Sequence, residues 1–492
     1  MKLRGIFILV LVSISILAMV ILIKTITFKE PTIQKASKPA FLEIEEFQKA
    51  QQNFINNLSK AITFKTISFQ ELEKRNLREF ENFILFVQKS FPKTFNNLEF
   101  KKINQYTILL KWEGKDPQKK PVVLMGHYDV VPANELEWNY PPFEGKIVDN
   151  YLYGRGAIDD KITVIGLLQA TEFLLNTGFK PERTIFFSFG HDEEINGFEG
   201  AKAVVEYLEK NQIFPEFVLD EGGAITVGIV PGIQKPVATI GIAEKGYLSL
   251  KLTSKGKGGH SSTPSEKTAI GNLVEALHRL SQKPFPYNLT PVQEKMFEYM
   301  GPHFPFVQKI AFANLWIFKN LILSQLRKSD SARASLHTTM VPTIINAGVK
   351  ENVIPTTAEA VINFRILPGD SKEKIKKYIQ EITKELDIEI SELPFSSEPS
   401  PVSGTEGEEG IGFRKISEAI KTINSDFVIA PYLVLGATDA RHFTKITKNT
   451  YRFLPIYLTE EDMKAMHGNN ERISLESLKI ALEFYTILIN NL

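Results

Sequence analysis

Two histidines and a small set of acids carry the chemistry this chain could perform. His127 and Asp129 form a His-x-Asp pair directly after an apolar run at 122–125. Asp159 sits in the segment Gly-Arg-Gly-Ala-Ile-Asp-Asp-Lys at 154–161. Glu193 and Glu194 follow a second apolar run at 185–189, Asp220 follows a third at 217–219, and His467 lies near the C-terminus. Two imidazoles and three carboxylates, with two acids to spare, suit a pair of divalent metals sharing a hydroxide. Three carboxylates and one hydroxide neutralise two dications, as a partly buried site requires. If Asp159 bridges, each ion has the bridge, two terminal ligands and the hydroxide, the four-coordinate geometry common for zinc. Asp129, two residues beyond His127, points the same way in an extended segment and can accept the imidazole N–H. Glu193 can take a proton from water and deliver it to a leaving amine. Asp160 reads instead as an acid at a helix N-terminus.

These residues need elements to bring them together. The apolar runs near 106–112, 121–126, 184–190 and 216–219 read as strands. A helix is expected from Asp160, with Val164, Leu167, Leu168, Leu174 and Leu175 on one stripe and Gly178 placed to end it. Alternating strands and helices predict an open α/β sheet, in which ligands bind beyond the C-terminal strand ends. His127, Glu193, Glu194 and Asp220 share that position. A different module is expected from 246. Strand 247–253, helix 267–280, strands 341–349 and 358–366, helix 371–386 and strand 388–390 give the order of a split βαβ, ferredoxin-like sandwich. Between its first helix and second strand, 284–335 reads as irregular and rich in aromatics. The fold class is therefore α/β, an open mixed sheet flanked by helices, with an inserted α+β domain. Expected boundaries are 1–28 for an N-terminal anchor, 40–245 and 396–492 for the two parts of the main domain, and 246–395 for the insertion. Residues 25–39 read as a short polar tether, and a closing helix is expected from Ser474.

Composition bounds the partners. The 492 residues carry a net charge of +1, which argues against nucleic acid, since phosphate binding needs a basic surface. There is no cysteine, so any metal must be held by His, Asp and Glu. Lys2 and Arg4 precede an uncharged apolar run at 5–23, and Lys24 follows. That run is longer than a signal-peptide core and has no small-x-small site at its end. The expectation is an uncleaved signal anchor with the main domain extracytoplasmic; the alternative is secretion after cleavage.

Seven segments together resemble one family. They are 125–132 (MGHYDVVP), 153–161 (YGRGAIDDK), 190–194 (GHDEE), 259–264 (GHSSTP), 352–355 (NVIP), 436–441 (GATDAR) and 466–468 (MHG). The chain is similar to the dizinc metallopeptidases that include carboxypeptidase S, aminoacylase and bacterial glutamate carboxypeptidase. It looks closest to the carboxypeptidase S and secreted N-acyl-amino-acid hydrolase branch. The resemblance implies Asp159 as the bridge, with His127 and Asp220 on one metal and Glu194 and His467 on the other. It implies Glu193 as general base and Asp129 as orienting acid. His260 would stabilise the tetrahedral oxyanion from the lid, Asn352 and Arg365 would hold the substrate's carboxylate or carbonyl, and Thr438 would line the same pocket. The insertion would be a lid or dimerisation domain, so a homodimer through it is also implied. The ions would be zinc, with cobalt or manganese as alternatives. The expected activity is removal of a C-terminal amino acid from small peptides. One alternative is an N-acyl-amino-acid amidohydrolase or synthase; another, of a different class, is a non-catalytic membrane-tethered binding protein. The remaining histidines, His191, His278, His303, His337 and His442, are read as structural or exposed.

Overall fold

The computed structural model describes residues 2–34 and 37–492. Its main sheet is mixed, and its centre is parallel. Strand Val122–His127 runs parallel to Ile185–Gly190 on one side and to Phe217–Asp220 on the other. Thr450–Arg452 continues the parallel set beyond Phe217–Asp220, and Thr107–Trp112 and Glu99–Ile103 close the opposite edge as antiparallel strands. The first parallel strand thus lies between the next two. That reversal of strand order is the switch point at which open sheets bind ligands, and it opens beside His127.

Alternation along the strands supplies both cores. Val122 and Leu124 face one buried cluster with Ile165 and Leu168 of helix Lys161–Asn176. Val123 and Met125 face the other, with Val204 and Leu208 of helix Ala201–Lys210. Each such side chain, fully buried, contributes about 1.5–3 kcal/mol. Helix Lys161–Asn176 ends before Gly178, whose φ of 77° favours glycine. Gly166 lets the closing helix Leu475–Asn490 approach closely: a Cβ there would meet the Tyr485 ring at 2.9 Å.

A second sheet has the order Thr339–Ala347, Thr357–Ile366, Gly246–Lys255, Ile388–Glu392, antiparallel throughout. Helices Ala269–Gln282 and Lys372–Thr383 pack on it around their own core of Leu250, Ile362, Phe364, Leu273 and Ile379. Thr268 and Ser371 cap these helices, each side chain accepting a backbone N–H. Numbered along the chain, the sheet order is 2-3-1-4, that of the ferredoxin-like sandwich.

Two regions differ from expectation. The segment 284–335 is not irregular: it holds helices Pro291–Met300, Phe306–Ala313, Leu315–Leu326 and Asp330–Ala334. Its helices are short and broken by Pro, Gly and Asn, so no single helical period runs through the segment. The stretch after helix Lys2–Thr27 is not a free tether either, although Lys35 and Ala36 lie outside the described residues. Phe28 fills the space over Gly301, Glu30 pairs with His303 at 2.8 Å, and Ile33 packs on the main core. Single apolar residues in a polar run gave no pattern to read.

Candidate metal centre

His127 ends its strand and is 1% exposed. Its Nε2 lies 2.9 Å from Asp159 Oδ1 and 3.3 Å from Glu221 Oε1. Its Nδ1 faces the Asp129 backbone carbonyl at 3.0 Å and the Asp129 carboxylate at 3.3 Å. Both leave Nε2 as the outward ligand atom, because Nδ1 keeps the proton. Asp129 does a second task. Its two oxygens accept the Glu193 and Glu194 backbone N–H groups at 3.2 Å, and Ser68 donates to it at 2.7 Å. One buried acid therefore fixes the imidazole and the turn that carries the paired glutamates.

The other imidazole, His467, mirrors the first across Asp159. Its Nε2 lies 2.9 Å from Asp159 Oδ2 and 3.3 Å from Glu194 Oε2. It sits on a loop at φ 57° with a half-exposed side chain. The loop is held by Glu471, which is fully buried. Glu471 accepts the backbone N–H groups of Gly156 (3.2 Å), Ile158 (2.7 Å) and Asp159 (3.3 Å), and pairs with Arg155 at 2.7 Å. Arg155 in turn donates to the Gly468 carbonyl at 2.9 Å. Arg155 and Glu471 thus tie the Asp159 segment to the His467 loop. Neither was singled out from sequence, where they read as ordinary charges.

The expected ligand Asp220 does not reach the imidazole. Its carboxylate accepts the Glu221 N–H at 3.0 Å and the Ala440 N–H at 2.7 Å. The next residue, Glu221, points to His127 instead. Successive side chains at a strand end leave on opposite sides, so the first acid after the run caps a neighbouring turn and the second enters the crevice. Asp160 also approaches: His127, Asp160 and Glu221 form one group of closely spaced ligand atoms, and His127, Asp159 and Glu194 form another. Asp160 Oδ1 accepts the Thr163 hydroxyl and Oδ2 the His127 N–H, so its carboxylate is already engaged.

Crowding and burial hold most of these acids back from ionising. Burial and then the Asp159 charge push Glu221 up to about 8. Burial, with the Glu221 charge beside it, raises Asp160 as well. Burial also raises Glu193 and Glu194. Asp159 moves the other way: burial opposes ionisation, but the two histidine hydrogen bonds outweigh it. The residues fit a pair of metal ions. The two imidazole nitrogens share one carboxylate, and the buried Glu194 Oε1 has no hydrogen-bond partner. An unsatisfied buried carboxylate oxygen costs about 1–3 kcal/mol or more, which a coordinated cation removes.

A cavity of about 750 Å³ opens beside the cluster, lined by Glu193, Glu194, His467, Tyr247, Arg365 and Arg441 among others. Arg365 reaches it from the second sheet, its guanidinium 4.8 Å from the Tyr247 ring centroid and with no carboxylate partner among the described residues. Burial lowers its pKa, with the Arg441 charge adding to the effect. Thr438 does not line the cavity. Its N–H and hydroxyl both donate to Glu244 at 3.1 Å, and Glu244 also pairs with the buried Arg452. The neighbouring Gly436 and Ala437 face the cavity in its place. His260 pairs with Val353 on the short ladder Gly259–His260 with Val353–Ile354, and the Asn352 carbonyl accepts the Ser261 N–H at 3.1 Å, but neither His260 nor Asn352 lines the cavity. His260 is exposed, and its Nδ1 faces the Ser262 hydroxyl at 2.8 Å. His442, read as structural, does line the cavity and faces the Asn196 carbonyl at 2.9 Å.

Fold and site together define a metal-dependent hydrolase built on an open α/β sheet. The chain belongs to the peptidase family M20/M25/M40, whose pattern matches residues 123–491. It is 40% identical over 98% of its length to the N-fatty-acyl-amino acid synthase/hydrolase PM20D1 of Xenopus tropicalis, covering 94% of that protein. It is 38% identical over 97% of its length to the probable carboxypeptidase S-like 2 of Dictyostelium discoideum, covering 92% of it. Its fold matches the M20 family metallo-carboxypeptidase Sso-CP2 of Sulfolobus solfataricus with a TM-score of 0.64 at 18% identity, covering 91% of this chain and 99% of that one. A dinuclear metal binding peptidase of the same family, the Bacillus subtilis YXEP protein, matches with a TM-score of 0.57 at 14% identity, covering 90% of this chain and 98% of that one. The protein is accordingly a hydrolase that works with two divalent metal ions.

Proposed function

We propose that the protein cleaves the amide bond next to a free C-terminal carboxylate in small peptides. The observation that carries this reading is Arg365: an unpaired, partly buried guanidinium in the same cavity as Glu193 and His467. Its planar fork suits a carboxylate, and Arg441 adds positive charge nearby.

The proposed ligands are His127 and Glu221 for one ion, Glu194 and His467 for the other, and Asp159 between them. Zinc fits this His and carboxylate set, as do cobalt and manganese. When bound, the ions would acidify a water molecule and polarise the scissile carbonyl. Glu193 takes one proton from the attacking water as its oxygen bonds to the carbonyl carbon. It then delivers that proton to the amine nitrogen as the C–N bond breaks, leaving a carboxylic acid and a free amino acid. Arg365 holds the carboxylate, and Asp129 keeps His127 in one tautomer.

A second reading concerns the acyl side. Phe198 and Phe395 lie 5.7 Å apart and line the outer part of the same cavity, which favours an apolar acyl group such as that named for the Xenopus relative. Hydrolysis of Gly-Leu compared with an N-oleoyl amino acid separates the two. Glu193→Gln should lose activity by about 10²–10⁴-fold with both metals retained. Wild-type protein inert on both substrates, with full metal content, would contradict the proposal.

His260 reaches no part of its own cavity, so we place it in the site of a second copy. Strand Thr339–Ala347 supports that arrangement: it is a sheet edge with Val341, Ile344 and Ile345 exposed. The N-terminal helix is proposed to remain as a membrane anchor, with the hydrolase on the extracytoplasmic side.

A further inference from the structure

Residues 306–326 have no role in the cavity. Helices Phe306–Ala313 and Leu315–Leu326 form an elbow bent by 118°, with Asn314 at its vertex. Phe306, Val307, Trp316, Ile317 and Leu321 are exposed on it. Apolar side chains scattered singly are ordinary, but five on one elbow call for a cover. Every charge between residues 305 and 329 is positive: Lys309, Lys319, Arg327 and Lys328.

The elbow is fixed to the foot of the N-terminal helix. Asn314 is fully buried, and its side-chain amide donates to the Ile21 carbonyl at 3.3 Å and to the Thr25 hydroxyl at 3.2 Å. The Lys24 ammonium lies 5.4 Å from the Trp316 ring centroid. Above this joint the helix is bare, with apolar residues from Ile6 to Val20 exposed. At 1.5 Å per residue, the stretch from Arg4 to Ile23 spans roughly 30 Å, the thickness of a bilayer's hydrocarbon core. A helix placed across that core puts Ile21 and Thr25, and hence Asn314, at its boundary.

We propose that the elbow is a docking surface for a lipid bilayer. Its apolar residues enter the boundary between headgroups and acyl chains while Lys309 and Lys319 on the elbow, and Lys328 just beyond it, face lipid phosphates. The bilayer is the favoured occupant because the elbow continues the exposed apolar surface of the helix and carries no acid to repel phosphate. The inference rests on the reading of that helix as a retained anchor. Its consequence is a fixed posture. The C-terminal end of the elbow stacks Arg327 on Tyr287 at 4.2 Å, and Tyr287 lies 4.4 Å from His337, whose carbonyl accepts Lys245 at the start of the second sheet.

Trp316 provides the readout, since Trp112 and Trp138 are buried. The full-length protein is reconstituted in phosphatidylcholine–phosphatidylserine vesicles with ordinary or brominated acyl chains. Trp316→Phe serves to isolate the signal. The Trp316 emission is expected to fall at least twofold in brominated lipid, and Phe306→Ser with Leu321→Ser to abolish most of that fall without changing Gly-Leu hydrolysis in detergent. Equal emission in both lipids, with acrylamide still quenching Trp316, overturns the proposal. Protection from acrylamide that is insensitive to bromine and rises with protein concentration also overturns it, in favour of a second copy as the cover. The intact mass of the reconstituted protein separates the two readings. A retained helix with no bromine effect sinks the elbow alone; a missing helix sinks the anchor reading.

Discussion

The two imidazoles of the proposed metal centre are held in opposite ways. His127 ends a central strand, is 1% exposed, and has its second nitrogen fixed by Asp129. His467 sits on a loop, is half exposed, and relies on the Arg155–Glu471 pair behind it. One half of the site is a product of the sheet itself. The other half is assembled across more than 300 residues of chain by a single buried ion pair, Arg155 with Glu471. The first half should be rigid without metal, and the second should depend on its clamp.

Replacing the imidazoles tests this most strongly. His127→Ala should abolish turnover and, by removing the buried ring that pairs with both Asp129 and Asp159, cost about 3–5 kcal/mol of stability. His467→Ala should also abolish turnover, yet destabilise chelator-treated protein less than His127→Ala does, because its half-exposed ion pairs are screened by solvent. Equal destabilisation by both would erase the distinction. Next in size is Glu471→Gln. It keeps the shape but weakens the clamp, and should lower affinity at the His467 side about 10–100-fold with the other ion retained. Metal titration followed by calorimetry reads this directly.

A smaller contrast separates neighbours. Glu221→Gln should weaken metal binding, whereas Asp220→Asn should leave metal content intact and cost about 1 kcal/mol through its weakened caps on Glu221 and Ala440. Thermal melts and metal analysis of the pair decide it. The least marked effect is on pH. In chelator-treated protein, hydrogen bonds that His467 donates to Asp159 and Glu194 raise its pKa to about 10. That contribution to stability is present in full below the unfolded value of 6.5 and is lost as pH rises through about 10. Glu221, raised to about 8 by burial and Asp159, acts in the same direction. Folding favours its neutral form, so stability declines from about pH 4.5 upward and levels beyond about 8. Metal-free protein should therefore melt lower at pH 9 than at pH 6, while metal affinity rises over the same range. Melting curves in chelator across that range check the sign.

Much of this was legible because strand ends announce themselves. The runs before His127, Glu193 and Asp220 were expected as strands and form the parallel centre of the sheet. The ferredoxin-like order also followed from alternating periods. From sequence, Asp220 is named and Glu221 passed over, because a sequence shows the acid after a run but not the side from which it leaves. Thr438 sat beside the right pocket, but the demand of buried Glu244 for donors is a tertiary fact. Glu471 and Arg155 were invisible for the same reason: only the fold brings them to the Asp159 backbone. The elbow helices were hidden by their shortness and by the break at Asn314 between them.

The most direct measurement is anomalous scattering from crystals of zinc-loaded protein. Two peaks are expected, one among His127, Asp159 and Glu221, the other among Asp159, Glu194 and His467. A single peak, no peak, or a pair held by Asp220 with Glu221 turned away would contradict the proposed centre.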